Sequence, residues 1–80
     1  MAHDDTLREI ARLVARASDI EPSRVRPEGK LRGYGIDSAR VVDLVLDIEE
    51  QFGVTVRERD FTSLQTVVEL ADHVEKLKGS

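Results

Sequence analysis

Three runs of apolar residues recur at the helical period in this chain, and nothing in it offers a strand a partner. The first run is Leu7, Ile10, Ala11, Val14 and Ala17, the i, i+3, i+4, i+7 series of one helix face. It predicts a helix over about 5–17, with Asp4, Asp5 and Thr6 as capping candidates whose oxygens and charge suit a helix N-terminus. The second run, Val41, Val42, Val45, Leu46, Ile48 and Phe52, predicts a helix over 38–52 with Asp37 as N-cap and Gly53 as the left-handed residue that ends it. The third, Leu64, Val67, Val68, Leu70, Ala71, Val74 and Leu77, predicts a helix over 63–78, capped by Ser63 and finished by Lys76 and Lys78. Val54-Thr55-Val56 alternates like a strand, but an isolated strand is unstable in water. It is read as a loop that buries Val54 or Val56, followed by a short helical turn over 57–61. Three amphipathic faces bury themselves most simply in a small antiparallel bundle. The expected fold is all-α, with three main helices, one short extra helical turn and a long loop between helices 1 and 2.

That loop, 18–36, contains Pro22, Pro27, Gly29, Gly33 and Gly35. A loop of this length in a small domain is functional or has to be tied down. Ile20, Val25, Leu31 and Tyr34 supply apolar pins, and Val25 and Leu31 are expected in the core. Eighty residues support one core, so 1–80 reads as a single domain with no room for an enclosed active-site cavity. The absence of cysteine removes disulfides, thiolate nucleophiles and thiolate metal sites. His3 and His73 stand at opposite ends of the chain and do not make the converging ligand set a metal needs. Both are read as surface residues, and no metal is expected. Met1-Ala2-His3-Asp4-Asp5 lacks the basic start and apolar run of a signal peptide, and no segment approaches the length of a membrane span. The expectation is a cytoplasmic protein without membrane insertion.

The charge is unevenly placed. Of the formal net charge of −4, residues 1–36 contribute +1, from seven basic and six acidic side chains. Residues 37–50 carry Asp37, Asp43, Asp47, Glu49 and Glu50 against Arg40 alone. Such a block repels nucleic acid and steers basic partner surfaces towards it. Arg8, Arg12 and Arg16 line one flank of the first helix at a spacing of four, the pattern of a solvated face, with a docking surface as the alternative.

Gly35-Ile36-Asp37-Ser38 lies at the junction of loop and second helix. A serine hydroxyl there projects from a helix N-terminus, where free amides and the positive end of the dipole favour an attached or approaching phosphate. Gly33 and Gly35 let the chain turn sharply and let another protein come close. Asp and Ser are also common caps, and the tetrapeptide taken alone is better read as two caps without chemistry. No histidine base lies near Ser38 in sequence, and the carboxylates of the second helix are spaced as an exposed face, so catalysis is not expected.

Beyond Ser38 the chain continues through an acidic amphipathic helix to Asp47-Ile48-Glu49-Glu50-Gln51-Phe52-Gly53. With Gly35-Ile36-Asp37-Ser38, this stretch resembles the acyl carrier protein family, the stand-alone carriers of fatty acid and polyketide synthesis, and the likeness runs from about Leu7 to Leu77. It implies a four-helix carrier fold working as a monomer. It also implies that Ser38, beside the motif residue Asp37, receives 4′-phosphopantetheine from coenzyme A through a phosphopantetheinyl transferase. The arm's thiol then holds an acyl or polyketide-type group as a thioester and presents it to acyl-loading and acyl-processing enzymes. The family's second helix is its recognition helix, which places Ala39, Val42, Asp43, Leu46, Asp47 and Glu50 on the partner-facing side.

Two stretches depart from the family pattern. Ala39 stands where a larger aliphatic residue is common, and Arg40 where the residue is often acidic or polar. Arg57 and Arg59 put positive charge in a turn that is acidic in many fatty-acid carriers. Arg40, Arg57 and Arg59 would repel a uniformly basic docking surface, which implies partners unlike those of a housekeeping carrier. Two alternatives stand beside this reading: an unmodified interaction module with a carrier-like fold, and an aminoacyl or peptidyl carrier, whose attachment sites more often resemble Gly-Gly-x-Ser. If the interior shelters a short acyl chain, Val42, Val45, Ile48 and Phe52 are the residues expected beside it. Tyr34 either lines the base of the arm or packs against its own loop.

Overall fold

The structure is a computed structural model that describes the backbone of residues 2–79 and the side chains of residues 5–79. Helix α1 covers Ala2–Ser18, α2 Ser38–Phe52, α3 Glu58–Thr62 and α4 Val67–Lys78, and two single 3-10 turns, Pro22–Arg24 and Arg32–Tyr34, lie in the loop between α1 and α2. No strand occurs among the described residues. The all-α, three-plus-one helix architecture agrees with the periodicity of the sequence.

The helix boundaries agree less evenly. α2 begins at Ser38 behind the Asp37 cap and ends at Gly53, whose φ of 66° is left-handed and whose amide donates to the Glu49 carbonyl. α1 starts earlier than expected, at Ala2, so Asp4, Asp5 and Thr6 lie inside the helix and not at the position before it, the Asp4 side chain being outside the described residues. Thr6 is 1% exposed. Its hydroxyl donates to the Glu75 carboxylate and accepts from Lys78 Nζ at 3.1 Å, clasping α1 to α4. The Lys78 ammonium also sits 5.5 Å from the centre of the Phe52 ring, so it joins α2 to the same clasp. The α1 C-terminus closes through Asp19 at φ 57°, with Ile20 N donating to the Ala15 carbonyl at 3.0 Å and Asp19 N to that of Arg16 at 3.3 Å. These are the paired bonds of a Schellman motif, with aspartate where glycine is usual.

α4 begins at Val67 and not at Ser63. Ser63 instead closes α3, where its amide and its hydroxyl both donate to the Asp60 carbonyl. The α4 cap is Thr66, whose Oγ1 accepts from Glu69 N at 3.2 Å while Glu69 Oε1 accepts from Thr66 N at 2.9 Å, a reciprocal capping box. The same carboxylate oxygen accepts from Gln65 N. These amides, Gln65 first and then Thr66, hold the exposed Glu69 carboxyl below its ordinary value of 4.5.

The long loop is fastened to this helix start. Val67 N donates to Gly29 O at 3.0 Å and Val68 N to Pro27 O at 2.8 Å, so loop carbonyls satisfy amides that a helix N-terminus leaves unpaired. Leu31 N donates to Gln65 O at 2.9 Å beside them. Val25 and Leu31 enter the core, as does Ile36. Tyr34 packs against its own loop: its Oη accepts from Arg26 N at 2.8 Å, and its ring covers Gly29.

The centre of the bundle is formed by Ile10 and Val14 of α1, Leu44 and Ile48 of α2, and Val67, Leu70 and Val74 of α4, all fully buried. Phe61 of α3 and Val56 of the preceding loop close one side. Of the two loop valines it is Val56 that is buried, and Val54 is half-exposed.

Candidate functional site

Ser38 is exposed at the first turn of α2. Asp37 Oδ1 accepts from Ala39 N at 3.1 Å and from Arg40 N at 3.0 Å, which fixes the backbone on which the serine is carried. Just before it, Gly35 adopts φ 80° and closes the 3-10 turn Arg32–Tyr34 by donating to the Arg32 carbonyl. That conformation is open to glycine at little cost. Asp37 N in turn donates to Gly35 O at 3.0 Å. The approach to Ser38 is thus held by backbone bonds on one side and by the cap on the other. The cap also corrects one expectation: the amides of Ala39 and Arg40 are not free for an anion, because the Asp37 carboxylate already occupies them.

A groove of about 770 Å³ opens beside Ser38 between α2 and α3. Its α2 wall is Val41, Val42, Val45 and Leu46, and its α3 side is Val56, Glu58, Phe61, Thr62 and Leu64. Leu31, Arg32, Gly35, Ile36 and Asp37, from the loop before α2, line it together with Ser38. Of the four residues expected beside an acyl chain, Val42 and Val45 line this groove, and Ile48 and Phe52 do not. Ile48 is fully buried on the inward face, and Phe52 packs against the core beneath Lys78.

α2 carries apolar residues on two faces. Leu44 and Ile48 point inward, whereas Val42 is 58% exposed and Leu46 56% exposed. The periodic run did not separate Val42 and Leu46 from the inward positions, whereas the family likeness set both on an outward side, and both are exposed. Ala39, Asp43 and Glu50 are exposed on the same helix and Asp47 is half-exposed, so the 39, 42, 43, 46, 47, 50 series shares one outer face at helical spacing. The acidic block divides by role. Asp37 caps α2, and Glu49 Oε2 accepts from Val56 N at 2.9 Å to hold the α2–α3 loop, which leaves Asp43, Asp47 and Glu50 on the outer face.

The arginines divide too. Arg57 and Arg59 are exposed, at the N-cap and the first turn of α3. Arg40 is exposed, but its guanidinium donates to the Ala17 carbonyl at the end of α1. This position suits a cation at a helix C-terminus, and it ties α1 to α2. His73 is less of a surface residue than expected: its side chain is 22% exposed, with Nε2 4.0 Å from Asp60 Oδ2 on α3. The His3 side chain lies outside the described residues. No cluster of three or more potential metal ligands occurs among the described residues. Sequence reasoning missed Arg32 and Glu58, the two charged groove residues outside the motif. No spacing signals Arg32, which shares the groove lining with Ser38 only through the fold of the loop before α2.

A family model for the phosphopantetheine attachment site matches residues 8–74. The chain belongs to the acyl carrier protein family. It is 30% identical to the acyl carrier protein of Thermotoga maritima over 98% of both chains. It is 35% identical to a chloroplastic acyl carrier protein 3 of Cuphea lanceolata, over 99% of this chain and 56% of that one. A meromycolate extension acyl carrier protein of Mycobacterium leprae is 27% identical over 98% of this chain and 69% of its own length. The chain spans a little over half the length of the chloroplastic relatives it matches. Proteins of this family are carriers rather than catalysts, and their covalent group is 4′-phosphopantetheine. An exposed serine with an apolar groove opening at its side fits that group.

Proposed function

We propose that Ser38 is the attachment point of 4′-phosphopantetheine and that this domain is a non-catalytic carrier of acyl groups of the fatty acid or polyketide type. When bound, the arm supplies a thiol that holds the acyl group as a thioester. A single observation carries the proposal: Ser38 is exposed at a capped helix start beside a groove with apolar walls, inside the segment that matches the attachment-site family. Asp37 holds the serine's backbone in place for a phosphopantetheinyl transferase. Val41, Val42 and Val45 offer the groove wall to the first carbons of a short acyl chain. The one described histidine side chain, His73, faces Asp60 on another helix and not the serine, which suits a serine modified by a separate enzyme.

The outer face of α2 is the surface for acyl-loading and acyl-processing enzymes. Ala39, Val42 and Leu46 provide apolar contact, Asp43, Asp47 and Glu50 provide negative charge, and Arg57 and Arg59 provide positive charge across the groove. A fitting partner therefore carries basic groups opposite α2 and a mixed-charge surface opposite α3, where Arg57 and Arg59 alternate with Glu58 and Asp60. The domain acts as a monomer in the cytoplasm, without nucleic-acid partners or membrane insertion. No helix is long and apolar enough to cross a membrane among the described residues.

Incubation with coenzyme A and a broad-specificity transferase tests the attachment point. The expected result is a mass gain of one arm on the Ser38 peptide and none in Ser38→Ala. An unmodified Ser38 beside a modified reference carrier would refute it, and full biological activity of Ser38→Ala would favour an interaction module that needs no arm.

A further inference from the structure

The charged side chains lining the groove at Ser38 are Arg32, Asp37 and Glu58. Two of the three are carboxylates, and Asp37 adjoins the serine in the chain. Its Oδ1 already accepts the Ala39 and Arg40 amides, the groups that at other helix starts receive an anion. A phosphodiester on Ser38 would therefore enter a place where two first-turn amides are already taken and the neighbouring carboxylate is negative. Arg40, close in sequence, is turned away and donates to Ala17 O. Arg32 is the one cation in the groove lining among the described residues. It is exposed, it is the first residue of the 3-10 turn that leads to the serine, and no side-chain hydrogen bond or ion pair engages it among the described residues.

Resting on the assignment of Ser38 as the attachment point, we propose that the Arg32 guanidinium is the counter-ion of the phosphodiester. Its planar fork donates N–H groups to the two non-bridging phosphate oxygens, a pairing that guanidinium geometry favours over ammonium. This would offset the charges of Asp37 and Glu58 at the root of the arm. Arg32 acts here as a positioning residue. The site is open to solvent, so the pairing is salt-sensitive.

The test uses the full chain, converted with coenzyme A and transferase and checked by mass on the Ser38 peptide. The Arg32 Nε–Hε resonance is followed from apo to holo protein, and the phosphorus resonance is compared in wild type, Arg32→Gln, Arg32→Lys and the control Arg24→Gln. The Arg32 signal is expected to shift on modification. The phosphorus resonance is expected to move in Arg32→Gln, to move less in Arg32→Lys and to stay in place in Arg24→Gln. At about 1 M salt, where the Debye length is about 3 Å, the wild-type resonance should approach that of Arg32→Gln. Successful modification with an unmoved Arg32 signal and identical phosphorus resonances overturns the counter-ion role and leaves the attachment point intact. Failure to modify Ser38 removes both.

Discussion

Tyr34 shows how one side chain can set the shape of a loop. Its ring lies over Gly29, where an added Cβ would fall 2.6 Å from ring carbons and closer still to the hydroxyl. The ring would have to swing out and give up the bond from Arg26 N. Gly29→Ala is therefore expected to lower stability by about 1–3 kcal/mol, and Tyr34→Phe by about 0.5–1.5 kcal/mol, since it loses only the hydrogen bond. Urea unfolding of both variants checks the order, and an equal or smaller loss in Gly29→Ala would show that the ring does not rest on the glycine. Arg40 and Thr6 are likewise set by partners far away in the chain. Arg40 stood out as a departure in charge, but its bond to Ala17 O spans 23 positions of sequence and links two helices. Thr6 resembled a cap, but its partners are Glu75 and Lys78 at the far end of the chain. Neither partner is visible to local pattern.

α2 was legible from end to end because both of its stops are local: an aspartate that caps and a glycine that turns left-handed. Which of its apolar residues face inward was less legible, because its aliphatic residues crowd both sides and only packing chooses between them. Leu44 is fully buried and Leu46 is 56% exposed. Leu44→Ala is thus expected to cost about 2–5 kcal/mol. Leu46→Ala should stay within about 0.5 kcal/mol in stability while weakening transfer to a processing enzyme. Thermal unfolding paired with a transfer assay separates the two, and a large stability loss in Leu46→Ala would move that residue into the core. The α4 start carried its signal in plain sight, as Thr66-Val67-Val68-Glu69 has the spacing of a capping box. Ser63 competed for the role and is used to close α3. Because Glu69 titrates below its ordinary value in the folded protein, its contribution is fully present above pH of about 4.5 and fades as pH falls through the lowered value. Glu69→Gln should flatten that part of the stability–pH curve and leave the neutral-pH side nearly parallel to wild type. Identical acid limbs in the two proteins would speak against the cap as a source of acid sensitivity.

At the scale of the whole molecule, three helices and a fastened loop hold one serine in the open, and the rest of the chain supports that exposure. The loop between α1 and α2 delivers Ser38 because α4 pins it at Gly29 and Pro27. The groove between α2 and α3 lies beside it, and the charge is split, with acidic residues on the outer face of α2 and arginines at Arg32, Arg57 and Arg59. The helix order and the motif were legible because periodicity and caps are local properties. The groove was not, because it arises from the way α3 meets α2, and its charged residues come from three separate segments. The measurement that bears most directly on the carrier assignment is mass spectrometry of the intact protein and its Ser38 peptide, isolated from its native cell without reduction or base. The Ser38 peptide is expected to bear a phosphopantetheine arm, a fraction of it with an acyl thioester whose mass names the cargo. A native population in which Ser38 is wholly unmodified, under conditions where other carriers of the same cell are loaded, would contradict it.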